Sequence, residues 1–110
     1  PQDFRGFNGL GINKMNQKQY PQAIEYFQKV LEMNPNMVGA YQNLGICHQQ
    51  LKQFQQAAEQ YEKGLKLAPN NMVFYNNMYN CYLALKNNAK MQETLQRRQA
   101  IINQQQNQGK

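Results

Sequence analysis

Phe7, Tyr41 and Tyr75 stand 34 residues apart. The same interval relates Leu10 to Leu44 and Met78, Tyr20 to Phe54, Ala23 to Ala57, Phe27 to Tyr61, and Pro35 to Pro69. A fixed period of this length marks one supersecondary unit, copied and stacked. Each copy leaves an apolar face that its neighbour covers, so the expected fold is an all-α solenoid. A solenoid presents a surface and rarely builds a closed pocket. The period therefore points to binding, not catalysis.

Each period reads as two helices. In the first copy Phe7, Leu10, Gly11 and Met15 recur at helical spacing, and Gln17-Lys18-Gln19 interrupts them. Pro21 then sits in a first helical turn, where its missing N–H costs nothing. Ala23, Ile24, Phe27, Val30 and Leu31 form the apolar stripe of the second helix. Asn34-Pro35 ends it, because a residue before proline is pushed out of the helical region. The second copy places Tyr41, Leu44, Gly45 and His48 on one helix, with Phe54 at the turn. Ala57, Ala58, Tyr61, Leu65 and Leu67 follow on the next, which stops at Pro69. The third copy has one good helix, with Tyr75, Met78, Tyr79, Tyr82 and Leu85. Its second keeps Met91, Leu95 and Ile102 but puts Arg98 in the seam, and it trails into a polar tail. Gly11 and Gly45 share a register. Glycine inside a helix costs about 1 kcal/mol relative to alanine, so the pair predicts close backbone approach between the helices of a unit.

The pattern Tyr41-x-x-Leu44-Gly45-x-x-His48, Phe54, Ala57, Tyr61, Pro69 closely resembles the tetratricopeptide repeat, with His48 where an aromatic is usual. Phe7-x-x-Leu10-Gly11, Tyr20, Ala23, Phe27, Pro35 matches as well. The resemblance covers nearly the whole of a single 1–110 domain, with repeats at 4–37, 38–71 and 72–105 and a polar tail over 103–110. The third repeat is degenerate, with Tyr79 in place of the glycine. The resemblance implies antiparallel helix pairs in a right-handed superhelix. It also implies a concave groove, lined mainly by the first helix of each pair, that binds a peptide or helix of a partner protein. Such a chain is expected to be an interaction module or scaffold within a larger protein or complex.

By position, the groove residues are Arg5, Asn8 and Ile12, then Gln42, Asn43, Ile46 and Gln49, then Val73, Asn76, Asn77, Asn80 and Leu83. Amides both donate and accept, so they can bond a peptide backbone whatever its side chains. Ile12, Ile46, Val73 and Leu83 add an apolar strip. One branch of the family grips the terminal carboxylate of chaperone tails with Lys, Asn and Arg. Those places here are Asn8, Ile12, Asn43, Val73 and Asn77, and only Asn43 matches. The resemblance therefore implies no grip on acidic chaperone tails.

Composition limits the alternatives. Net charge is +6, but the basic residues are dispersed and only Arg97 and Arg98 are adjacent. Nucleic-acid surfaces usually cluster their charge. An RNA-binding helical repeat stays as the second reading, supported by Lys14, Lys52 and Lys86 near the ends of the first helices. Asn and Gln make up about a third of the chain. They stand where Lys and Glu are usual on solvated helix faces, and only Asn103–Gln108 resembles a low-complexity tract. No apolar run approaches a membrane span, so no membrane role is expected. The start, Pro1-Gln2-Asp3-Phe4, carries no signal-peptide features and no initiator Met, which leaves room for the chain to be an excerpt.

The sole histidine, His48, lies in the packing register. The six acids occupy no catalytic spacing, and Glu59–Lys63 and Glu62–Lys66 read as i, i+4 surface pairs. No convergent ligand set and no phosphate loop is present, so neither enzyme activity, metal nor cofactor is expected. Cys47 and Cys81 recur in register, about a helix-packing distance apart, beyond disulfide reach. Reduced packing thiols suit an intracellular, cytoplasmic setting. An open N-terminal face at Phe4 and Phe7 suggests end-to-end contact there.

Overall fold

The structure is a computed structural model that describes residues 3–108. Pro1, Gln2, Gly109 and Lys110 lie outside the described residues, as do the outer ends of the expected domain and tail. Six helices follow one another: α1 (Phe4–Asn16), α2 (Tyr20–Met33), α3 (Val38–Gln50), α4 (Phe54–Leu67), α5 (Met72–Ala84) and α6 (Asn88–Gln108). No strand occurs among the described residues. Consecutive helices pack against each other, α1 also meets α3, and the fold is a stack of antiparallel helix pairs. The stack is elongated: it measures 48 × 34 × 20 Å, with a radius of gyration of 15.0 Å. A compact chain of this length would have about 13 Å.

Helix termini explain the turns. Gln17, Leu51 and Leu85 are the C-caps of α1, α3 and α5. The next residues, Lys18, Lys52 and Lys86, have φ of 62°, 62° and 57°. Each turn closes with the double hydrogen bond of a Schellman motif. Around Lys52, its N–H donates to the Gln49 carbonyl at 2.9 Å, and the Gln53 N–H donates to the His48 carbonyl at 2.8 Å. That left-handed position is usually glycine. The register of basic residues is thus Lys18, Lys52 and Lys86, not Lys14 with the latter two. Tyr20, Phe54 and Asn88 are the first residues of the following helices, not turn residues.

Small residues face large ones throughout the core. A Cβ on Gly11 would lie 2.7 Å from the Phe27 ring, and one on Gly45 would clash still more closely with the ring of Tyr61. A third close approach was not expected: a Cβ on Gly64 would lie 2.5 Å from the ring of Phe74 on the next helix. Phe27, Tyr61 and Phe74 are fully buried.

Several apolar residues fall outside this core. Leu67, Leu85 and Leu95 are 41%, 40% and 37% exposed. Leu67 and Leu85 sit at helix ends. Leu95 occupies the register of Phe27 and Tyr61, but among the described residues no further helix covers it. Thr94 is buried in its stead, and its hydroxyl donates to the Lys90 carbonyl at 2.8 Å. α6 also continues as a helix through the polar tail to Gln108. His48 is half-buried, with Nδ1 2.7 Å from Gln53 Oε1. Cys47 and Cys81 are buried free thiols, each pushed up to about 11 by desolvation.

Candidate functional site

The residues expected to line a groove lie on the first helix of each pair. On α3 and α5 they fall at matched positions, so Gln42, Ile46 and Gln49 correspond to Asn76, Asn80 and Leu83. On α1, Asn8 and Ile12 correspond to Gln42 and Ile46, and Arg5 to Val73. These positions advance by three and four residues, so they share one helix face. The packing residues Leu10, Leu44 and Met78 lie on the other side. None of the twelve groove residues is buried. Ile12, Val73 and Leu83 are 37%, 46% and 52% exposed, and Asn76 and Asn80 are exposed beside them. Gln42, Asn43, Ile46 and Asn77 are half-buried.

Two of these side chains also serve the interior. The buried Tyr61 hydroxyl donates to Gln49 Oε1. Desolvation raises the Tyr61 phenol, opposed by a hydrogen bond from Asn77. Asn8 differs: its Oδ1 is enclosed and meets no donor in the structure. Arg5 is tied to Asp3 at 3.1 Å. The Asp3 carboxylate also accepts from the Gly6 N–H, capping α1, and these bonds lower its pKa.

The opposite side of the stack, formed by the second helices, holds two features that the sequence reading missed. The first is a clasp. Arg97 Nη1 and Nη2 donate to Glu62 Oε1 and Oε2, both at 2.7 Å, joining α6 to α4. Its guanidinium sits 5.8 Å from the centroid of the Tyr75 ring, whose hydroxyl donates to the Pro69 carbonyl at 3.0 Å. Glu62 therefore pairs with Arg97, not with Lys66. Among the described residues, Glu59 and Lys63 form no ion pair either; the ion pairs are Asp3–Arg5, Glu93–Lys90 and Glu62–Arg97. Arg98 turns toward the seam, and its Nε is buried without a partner.

The second feature is an open cleft of about 380 Å³. Gln28, Leu31 and Glu32 of α2 line it, with Tyr41 and Leu44 of α3 and Gln60 and Lys63 of α4. Among the described residues no group of three His, Cys, Asp or Glu side chains could hold a metal. No helix described is long and apolar enough to cross a membrane.

A profile of the tetratricopeptide repeat matches residues 14–71, more than half of the chain. The chain belongs to the tetratricopeptide repeat family. No curated protein sequence matches it. Solved structures share the fold at low identity. A chain of the CopN–Scc3 complex is 18% identical with a TM-score of 0.84, covering 89% of this chain and 58% of that one. The Yersinia enterocolitica type III secretion chaperone SycD, in complex with a peptide of the translocator YopD, is 21% identical with a TM-score of 0.81. That match covers 89% of this chain and 75% of SycD. The first tetratricopeptide repeat of Spaghetti, bound to an HSP90 peptide, is 18% identical with a TM-score of 0.80. It covers 91% of this chain and 79% of that one. The chain thus spans less than two thirds of the CopN–Scc3 match and, at 61%, of MamA.

Proposed function

We propose that the face formed by α1, α3 and α5 is a groove for a peptide or helix of a partner protein. The observation that carries this reading is the pairing of open amides with exposed apolar side chains on one face. The exposed Asn76 and Asn80 offer donors and acceptors to a backbone, and the half-buried Asn43 adds an amide beside Gln42. Ile12, Val73 and Leu83 offer anchor contacts, and the enclosed Asn8 Oδ1 offers an acceptor with no internal donor. SycD and the Spaghetti repeat, both of this fold, hold peptides. The places that would grip a chaperone tail hold Asn8, Ile12, Asn43, Val73 and Asn77, without a cation among them. The groove is therefore read as unsuited to acidic chaperone tails, and as suited to a segment with apolar anchors. The buried thiols fit an intracellular, cytoplasmic setting. The repeat boundaries 4–37, 38–71 and 72–105 divide the groove into three strips.

The test is Asn43→Glu with Asn76→Glu and Asn80→Glu. Partner capture by the wild-type chain, lost in the triple variant at unchanged helicity by circular dichroism, supports the groove. Loss on Lys66→Glu with retention in the triple variant would move the working surface to the second helices. Anisotropy with labelled single-stranded RNA tests the other reading, and tight, salt-sensitive binding would favour it.

An end-to-end contact is proposed at the N-terminal face, where Phe4 and Phe7 are half-buried. Phe4→Ser should abolish any concentration-dependent association seen in sedimentation. A chain that stays monomeric at high concentration would argue against the contact.

A further inference from the structure

The clasp and the cleft occupy the same positions in successive junctions. Gln28, Tyr41 and Lys63 line the cleft, and 34 residues later Glu62, Tyr75 and Arg97 form the clasp. One junction is thus filled by a carboxylate on a cation above a tyrosine ring. The other has the cation and the ring, but an amide where the carboxylate would be. Lys63 is exposed and forms no ion pair among the described residues. The N-terminal unit shows how a lysine behaves at this position: Lys29 Nζ lies 5.3 Å from the centroid of the Phe7 ring.

We propose that the cleft between α2 and α4 is a second, separate binding site, which takes an acidic side chain and an adjoining large apolar one from a partner protein. The carboxylate takes, on Lys63, the role that Glu62 has on Arg97. The apolar side chain rests on Leu31, Tyr41 and Leu44 at the floor. Gln28 and Gln60 supply amides for the backbone between them. The volume suits one large side chain with its flanking polar groups, not an extended helix. Charge selects a single carboxylate. Lys63 attracts it and the net charge of +6 steers it, while Glu32 on the same rim repels a second acid. The site shares no residue with the groove of the first helices.

The probes are an acetylated, amidated phenylalanyl-glutamate dipeptide and its phenylalanyl-glutamine counterpart, titrated into the whole chain and followed by amide NMR shifts. The glutamate peptide should shift Leu31, Tyr41, Leu44, Gln60 and Lys63, and bind about fivefold more tightly than the glutamine peptide. Lys63→Gln should erase that preference while leaving the fold intact, since Lys63 is exposed. Gln28→Glu with Lys63→Arg rebuilds the clasp in the first junction and should abolish binding of both peptides. Absence of shifts at 10 mM-order concentrations, roughly the reach of such weak contacts, would overturn the proposal. So would shifts confined to α1, α3 and α5, equal affinity for the two peptides, or undiminished binding by the double variant. Because the groove variant Asn43→Glu leaves the cleft untouched, failure here is separable from failure of the groove.

Discussion

The ring of Tyr61 occupies the space that a side chain on Gly45 would need. Gly45→Ala must therefore push a fully buried aromatic or spread α3 from α4. Such overpacking costs about 1–3 kcal/mol. Gly9 has nothing near its missing Cβ, so Gly9→Ala should instead stabilise by up to about 1 kcal/mol. Urea unfolding of the two variants checks the contrast. Equal effects of the two substitutions would show that helix propensity, not the ring, decides.

Lys52 holds a left-handed backbone in a turn where its own N–H and that of Gln53 are both bonded. A Cβ in that conformation is strained, and glycine relieves it. Lys52→Gly should raise stability by about 0.5–1 kcal/mol, net of the glycine's greater freedom when unfolded. A lower thermal midpoint would mean that the lysine side chain contributes to the turn.

The Arg97 hydrogen bonds hold the Glu62 carboxyl below its ordinary range, against the opposing effect of desolvation. A carboxyl lowered by folding contributes stability that is complete above its unfolded value, about pH 4.3. That contribution is lost as pH falls through the lower folded value. The pair is more than a third exposed on the Glu62 side, so its worth is discounted to about 0.5–1 kcal/mol. Glu62→Gln should therefore destabilise the α4–α6 contact at pH 7 and flatten its dependence on acid in that window. Hydrogen exchange on α6 at two pH values reads this apart from Asp3, which caps α1 at the far end.

Local opening should begin in α6. Its Leu95 is partly exposed, and Arg98 Nε is enclosed without a partner. The backbone of Met91–Ile102 is expected to exchange faster than that of Ala57–Leu67. Greater protection of α6 would show that the clasp outweighs the thin seam.

How much of this was legible depended on whether identity recurs with the period. Gly11 and Gly45 repeat, so the close approach within a unit could be read. Gly64 and Phe74 do not: their counterparts one period earlier are Val30 and Ala40, both fully buried. Bulk has moved from one helix to its neighbour, and only knowledge of which positions meet exposes such an exchange. Most of the residues proposed for the groove could be placed on one helix face because they follow helical spacing. The Glu62–Arg97 pair could not, since Lys66 offered a nearer partner in sequence and only the stacking of α4 against α5 and α6 brings Arg97 closer. Leu95 misled for a related reason, because a stripe in sequence does not reveal whether a neighbouring helix covers it, and among the described residues none does.

The clasp on one junction and the open cleft on the other make the stack unequally stiff. Each junction acts as a joint, and the curvature of the whole is the sum of small rotations at the joints. Arg97 ties α6 to α4 by about 0.5–1 kcal/mol, and among the described residues no ion pair ties α2 to α4. Bending of the intact stack therefore concentrates between α2 and α4, although α6 is the first helix to open outright. A partner that fitted the proposed groove imperfectly would flex the molecule there. Spin labels on α2 and α4 should show a broader distance distribution than labels on α4 and α6.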